Sequence, residues 1–345
     1  MLRIDQEEGR SLSRALAAEW LEVNHRGGYA SSSILNCHTR RYHGLLVARL
    51  AKPAGCYVLL SKFEDMIISG GIREALSCHQ YPGHFFPADW SFLKNFQLNL
   101  VPTFLYEGQG IRLRKSLLMP AAENGLLIRY DVETCPVPGV LQLRPFLAFR
   151  DFHGLSKENP FLLGETTAVK NGVSLQIYAG MPALVIQTNR RPEWRSEPLW
   201  YRNFEYAVEA ARGYPSHEDL FSPGIFRIPV RAGGTVIVHV APEPFFGKLR
   251  SKWDAEVRRR RQECREDECL AQGLAAAPDG CSGIVFRTGE ETTVGMSSVG
   301  SDYAGMTPAQ EREETATGVG AEGLAAEKLP SRVAEERQLI RLLLQ

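Results

Sequence analysis

From Glu19 to about Pro242 the chain is a succession of short apolar segments separated by turn residues, and no long amphipathic helix interrupts them. Runs of Val, Ile, Leu, Tyr and Phe of this length form strands. They lie at 43–50, 56–63, 96–105, 111–119, 126–132, 140–149, 173–178, 183–188, 226–230 and 235–240. Asn171-Gly172, the Glu107–Gly110 stretch and Ala232-Gly233-Gly234 mark turns between them. Parallel strands need crossover connections, usually helical, and none is visible. The pattern therefore predicts a mainly β chain built as a large antiparallel β-sandwich over residues 1–244.

Two later changes of character divide the rest. In 245–288 Leu249, Trp253 and Val257 recur at helical spacing among charged residues, which predicts a helical linker. The Arg258–Arg261 run in it reads as a solvated helix face, because Asp254, Glu256, Glu263, Glu266, Asp267 and Glu268 offset its field. In 289–345 Gly, Ala, Ser, Thr and Glu dominate and Tyr303 is the sole aromatic. Such a composition buries little apolar surface, so a disordered tail is expected, apart from a helix over 331–344.

Charge and cysteine usage narrow the partners. Lys plus Arg and Asp plus Glu both number 40, so the chain is neutral. A neutral chain is a poor match for nucleic acid and suits an uncharged ligand. No apolar run is long enough for a bilayer, and the charged start is unlike a secretion signal. A cytoplasmic protein with reduced thiols is the expectation, since the 7 cysteines are odd in number and scattered. Cys37 and His38 are two ligands without companions, so no metal or cofactor is implied.

Two knots carry the chemistry, Arg26-Gly27-Gly28-Tyr29-Ala30-Ser31-Ser32 and Thr39-Arg40-Arg41-Tyr42-His43-Gly44. Arg offers a planar fork of donors for hydroxyl oxygens, and a Tyr ring packs on a sugar face. Arg40, Arg41, Tyr42, His43 and Tyr29 are thus substrate-binding candidates. The competing reading is a structural hydrogen-bond knot, with Arg41 paired to an acid such as Glu22. If 39–44 is extended, Arg41 and His43 share the inward face and Arg40 and Tyr42 the outward one. Asp151 and His153 are also candidates, at the end of an apolar strand line where Asp151 would orient His153 and fix its tautomer. A hydrogen-bonded pair closing the strand serves equally well. The aromatic stretch from Trp200 to Tyr206 is either a sugar platform or packing. The adjacent acids Glu64-Asp65 and Glu218-Asp219 point to opposite faces and read as exposed salt bridges or caps. No Gly-x-Ser-x-Gly nucleophile motif occurs.

These knots resemble the amino-terminal domain of bacterial and archaeal type glycogen debranching enzymes, the amylo-alpha-1,6-glucosidases. The resemblance is carried by Glu19-Trp20-Leu21, Asn24, Gly27–Ser31 and Thr39–Leu46. It continues through Leu143-Arg144-Pro145-Phe146, Arg150-Asp151-Phe152-His153, the Trp200–Tyr206 stretch and the Glu218–Gly224 stretch, and covers roughly 15–285. It implies a supersandwich fold and a place in hydrolysis of alpha-1,6-linked glucose at glycogen branch points. In that family the two carboxylates belong to a carboxy-terminal helical barrel, whose Trp-Gly-Arg-Asp opening has no counterpart here. The resemblance therefore implies no catalytic residue in this chain. It implies an alpha-glucan partner and a catalytic barrel encoded elsewhere, as after a truncation or frameshift near Val294. A stand-alone glucan-binding module or an inactive gene product is the alternative.

Overall fold

A computed structural model describes residues 2–5 and 12–275, with side chains from 12–265. The expected tail at 289–345 and the end of the expected linker lie outside the described residues. Nineteen strands and three helices are described. The first part holds β1 (Leu2–Asp5), α1 (Leu12–Ala17), β2 (Glu19–Val23), β3 (Tyr29–Ser33), β4 (Gly44–Ala51) and β5 (Ala54–Ser69). Next come β6 (Ile72–Ala75), β7 (His79–Tyr81), β8 (His84–Phe86), β9 (Leu93–Leu98), β10 (Pro102–Gly108), β11 (Ile111–Leu118), β12 (Leu126–Thr134) and β13 (Gly139–Asp151). The remainder is β14 (Glu165–Val169), β15 (Gly172–Gln176), β16 (Leu184–Thr188), β17 (Glu193–Glu205), α2 (Ala207–Ala211), β18 (His217–Val230), β19 (Gly234–Ala241) and α3 (Leu249–Ala275).

Two large antiparallel sheets result. A nine-stranded sheet runs β1-β9-β10-β11-β12-β19-β16-β15-β14, and an eight-stranded sheet runs β17-β18-β13-β5-β4-β3-β2, with β6 beside β5. Strand alternation sends Leu126, Ile128, Tyr130 and Val132 of β12 into the main core. Leu141, Leu143, Leu147 and Phe149 of β13 meet them there. The intervening residues build two outer clusters. Phe146 and Ala148 join Tyr29, Val47, Val58, Phe204 and Leu220. Leu127, Leu118 and Ile237 join Leu249 and Trp253 of α3. Burial on both faces explains why β12 and β19 read as nearly continuous apolar runs.

The helix differs from expectation in one respect. Arg260 is not on a solvated face: its guanidinium grips Glu22 at 2.6 Å and donates to the carbonyls of Met119 and Leu100. The three methylenes of the Arg stem carry the guanidinium inward, so a residue in a charged run still ends in the interior. Two other sequence expectations change, and the stretch left open between a sugar platform and packing is packed at two of its rings. The run at 96–105 is two strands, broken by bends at 99–101 into β9 and β10. Trp200 to Glu205 lie in the sheet-edge strand β17, and Tyr206 follows it as the cap of α2. The Phe204 and Tyr206 sides pack inward at 3% and 1% exposure, so they offer no platform. The acids Asp65 and Glu218 are completely buried rather than exposed. Asp65 is bound by Lys115 at 2.6 Å and by the Tyr130 hydroxyl at 2.9 Å. Among the described residues no helix is long and apolar enough to cross a membrane.

Candidate functional site

The segment from Thr39 to His43 is a turn, not an extended strand end: the His43 N–H donates to the Arg40 carbonyl at 3.1 Å. The two-face alternation expected for 39–44 therefore does not apply. Arg40, Arg41 and Tyr42 are each half-buried, and only His43 is fully buried. Gly44 then starts β4, where an added Cβ would lie 2.9 Å from Val47 Cγ2.

Each side chain of the knot has a defined partner. Arg40 Nε donates to Glu19 Oε1 at 2.8 Å. His43 Nδ1 accepts the Thr39 N–H at 3.1 Å, and its Nε2 lies 3.3 Å from the same Glu19 oxygen. Burial lowers the pKa of His43, so it is neutral at pH 7. Burial of Glu19 acts against its ionisation, yet His43 and Arg40 outweigh it and hold the carboxyl at about 2. Arg41 binds Glu209 of α2, not Glu22, with Nη2 2.7 Å and Nε 3.0 Å from Oε2. Its Nη1 donates to the His153 carbonyl at 3.1 Å. Tyr29 is buried and donates its hydroxyl to the Tyr42 carbonyl at 2.8 Å. It supports the turn from beneath.

Asp151 and His153 meet differently from the sequence expectation. Strand β13 ends at Asp151 and the chain turns, with Gly154 N–H donating back to the Asp151 carbonyl. Asp151 Oδ1 accepts the backbone N–H of His153 at 2.9 Å, so it does not hold the imidazole. The imidazole Nδ1 instead lies 3.1 Å from the Tyr42 hydroxyl, in an exposed position. Phe152 packs on both rings. Tyr42, Phe152 and His153 thus form one amphipathic ledge.

The ledge stands on an ionic foundation that the sequence reading overlooked. Arg150, nearly wholly buried, forms a two-pronged ion pair with Glu218 and donates to the Arg41 carbonyl at 2.7 Å. The same guanidinium donates to the carbonyls of Asp151 and Phe152. Glu218 also accepts from the Tyr206 hydroxyl and from Ser156 N–H at 2.9 Å. Arg150 and Glu218 were visible in the matched Arg-Asp-Phe-His and Glu-Asp-Leu-Phe stretches. Nothing in the spacing joined β13 to β18 at that point. Tyr214 was also overlooked; its exposed ring lies 5.3 Å from Arg41 and 5.4 Å from Arg212.

The start of the first knot works elsewhere. Asn24 Oδ1 accepts the N–H groups of Arg26 and Gly28 at 2.9 and 2.7 Å, and Asn24 Nδ2 donates to the Glu123 carbonyl at 2.9 Å. Arg26 thereby borders a groove of about 460 Å³, together with Arg49, Glu123, Asn124, His239 and Phe245. Glu123 holds Lys252 at 2.6 Å and His239 at 3.0 Å there.

The acids near the ledge are all engaged by cations or N–H donors, which suits anchoring better than proton transfer. Glu64 is a carboxyl raised by burial, but it and Glu197 share the Arg144 guanidinium. Among the described residues no three His, Cys, Asp or Glu side chains gather as a metal set.

No curated protein is similar to the chain at a significant level. Among solved structures, a bacterial glucoamylase complexed with acarbose is 8% identical, covering 72% of this chain and 32% of its own, with a TM-score of 0.31. A heparan sulfate lyase HepC mutant from Pedobacter heparinus is 17% identical over 50% of this chain and 22% of its own, with a TM-score of 0.28. The chain thus spans about a third or less of either structure. The family described as "Glycogen debranching enzyme N terminal" matches residues 18–237, more than half of the chain and nearly all of the two sheets. With the Thr39–Gly44 turn, the β13 end and the β18 acids all inside that span, the chain belongs to the glycogen debranching enzyme N-terminal family.

Proposed function

We propose that this sandwich is the non-catalytic, substrate-shaping domain of a glycogen debranching enzyme, and that its Tyr42–His153 ledge contacts alpha-glucan. The observation that carries the reading is the exposed 3.1 Å contact between Tyr42 and His153 above a buried ion-pair network. A rigid aromatic edge with two hydroxyl-seeking polar atoms fits a sugar ring, whose faces are apolar and whose rim donates and accepts. Arg40 and Arg41 fix the ledge, because their donors are already committed to Glu19 and Glu209. Hydrolysis of an alpha-1,6 bond needs two facing carboxylates. None is offered by the acids around the ledge, so the reading assigns that chemistry to a catalytic barrel working with this domain.

Calorimetric titration with maltooligosaccharides tests the ledge. Tyr42→Ala and His153→Ala should each weaken binding on the order of tenfold, about 1.4 kcal/mol, with little change in melting. Unchanged affinity in both removes the ledge from the glucan contacts. A second assay addresses the division of labour. Release of free glucose from a branched limit dextrin by the pure chain would overturn the non-catalytic assignment.

A further inference from the structure

The groove of about 460 Å³ bordered by Arg26 and Arg49 shares no lining residue with the ledge, and the glucan reading does not use it. Its walls are fixed by partners within the fold. Asn24, wholly buried, ties the Arg26 turn to the Glu123 carbonyl, and Asn124 Nδ2 donates to the Arg49 carbonyl at 2.8 Å. The stretch from Pro242 to Phe245 is held by Gln187, whose Oε1 accepts the Phe245 N–H at 2.7 Å and whose Nε2 donates to the Phe245 carbonyl at 3.3 Å. Lys252 Nζ lies 4.3 Å from the centre of the Phe245 ring. A groove of this volume, held on both sides before any ligand arrives, suits a small molecule.

The charges of the groove fall into two groups. Glu123 is engaged. Burial acts against its ionisation, yet His239 and Lys252 outweigh it and hold the carboxyl at about 2. The other charges are open. The Arg49 guanidinium has no hydrogen bond or ion pair among the described residues, and Arg26 makes only a 3.4 Å contact from Nη1 to the Ala122 carbonyl. The two meet at Gly27. Arg26 precedes it, and the Arg49 side chain passes over it, with Cδ 3.3 Å and Nη1 3.8 Å from where a Cβ would stand. Two guanidinium groups at one glycine, neither paired to a carboxylate, match an anion with several oxygens, which their planar donor forks can share. Glu243, exposed on the same groove, is also unpaired among the described residues. A carboxylate accepts hydroxyl donors and repels a bare anion. Leu50 and Pro242 add apolar wall.

We propose that this groove binds a phosphorylated monosaccharide, with its phosphate on Arg26 and Arg49 and its hydroxyls toward Glu243. The phosphate oxygens satisfy the open guanidinium donors. The sugar hydroxyls satisfy the open carboxylate, and the apolar faces of the ring meet the carbon walls. Inorganic phosphate uses one half of the groove and a neutral sugar the other, so neither alone answers to the whole lining.

Calorimetric titration of the full chain tests the site, with glucose 1-phosphate, glucose 6-phosphate, inorganic phosphate and glucose as probes. At least one of the two phosphosugars should bind at a single site, roughly tenfold more tightly than inorganic phosphate or glucose. Arg26 and Arg49 are both exposed, so Arg26→Ala and Arg49→Ala should fold normally. Each should weaken phosphosugar binding by roughly tenfold. Tyr42→Ala should leave it unchanged, which separates this site from the ledge. Glu243→Gln should lower the ratio of phosphosugar to phosphate affinity. No saturable binding of either phosphosugar at millimolar concentration would overturn the proposal, as would equal binding of inorganic phosphate or of glucose. Full affinity in both arginine variants would overturn it too, and an unchanged ratio in Glu243→Gln would overturn the placement of the hydroxyls.

Discussion

Glu209 sits on the short helix α2, 168 positions from Arg41, and closes on it with Oε2 2.7 Å from Nη2 and 3.0 Å from Nε. Its other oxygen accepts the Arg41 N–H at 3.3 Å. One carboxylate therefore fixes both the backbone and the side chain of the turn that presents Tyr42.

Breaking this pair should destabilise the fold. Glu209 is 2% exposed, so Arg41→Ala leaves a buried carboxylate without its cation. A loss of about 3 kcal/mol is expected. Arg40→Ala removes a half-exposed pair with Glu19 and should cost no more than about 1 kcal/mol. The double variant Arg41→Ala, Glu209→Gln should recover part of the loss. Urea melts of the four proteins check the order; equal losses for Arg41→Ala and Arg40→Ala would contradict it.

Stability should fall on the acid side of neutrality. His38, His43 and His79 are all buried, and burial lowers each of their pKa values. Above about pH 6.5 they are neutral folded or unfolded and contribute no slope. Below it the unfolded chain takes up protons that the folded chain refuses, so stability drops as pH falls. Each such histidine contributes up to about 1.4 kcal/mol per pH unit in that window. Glu19, held at about 2, adds its own loss below the ordinary carboxylate range. Urea midpoints from pH 8 to 5 should show the slope, and His79→Phe should flatten it. His79 lies edge-on to Phe146 and Phe204, with neither ring nitrogen hydrogen-bonded.

Helix α3 should prove part of the domain. Trp253 is 5% exposed against the outer face of the nine-stranded sheet, and Arg260 binds the buried Glu22. Trp253→Ala should cost about 3–5 kcal/mol by cavity formation. Arg260→Ala should cost a similar amount, about 3–5 kcal/mol, through the stranded Glu22 charge. Hydrogen exchange gives the local readout: β12 and β19 amides should lose protection in both variants. Full protection would show that the helix is dispensable.

Gly28 should not tolerate a side chain. An added Cβ would lie 2.8 Å from Asn24 Nδ2 and 2.9 Å from the Val47 carbonyl, which is backbone. Gly28→Ala should therefore cost about 1–3 kcal/mol. It should also free the Arg26 turn from Glu123. Thermal melts and crystallography of the variant check both effects.

The strands and the family were legible in the order of residues alone. The apolar runs of β12 and β19, the period-two alternation in β13 and the turn signals between strands depend on residues close in the chain, so they survive without coordinates. The apolar stripe of Leu249, Trp253 and Val257 is local in the same way. The knots at Gly27-Gly28 and Thr39–Gly44 were likewise legible as unusual, since glycine, arginine and aromatics rarely crowd together without a reason. Which side chain meets which was decided only by the tertiary structure. Arg41 chose Glu209 over Glu22, and Glu22 went to Arg260, because two sheets and a helix set those distances. Asp151 turned to a backbone N–H because β13 ends in a turn that no alternation rule anticipates. Asp65, Glu218 and Lys62 are charged residues that composition places on the surface. Ion pairs and carbonyls from remote strands hold them inside, and such partners are invisible until the chain is folded.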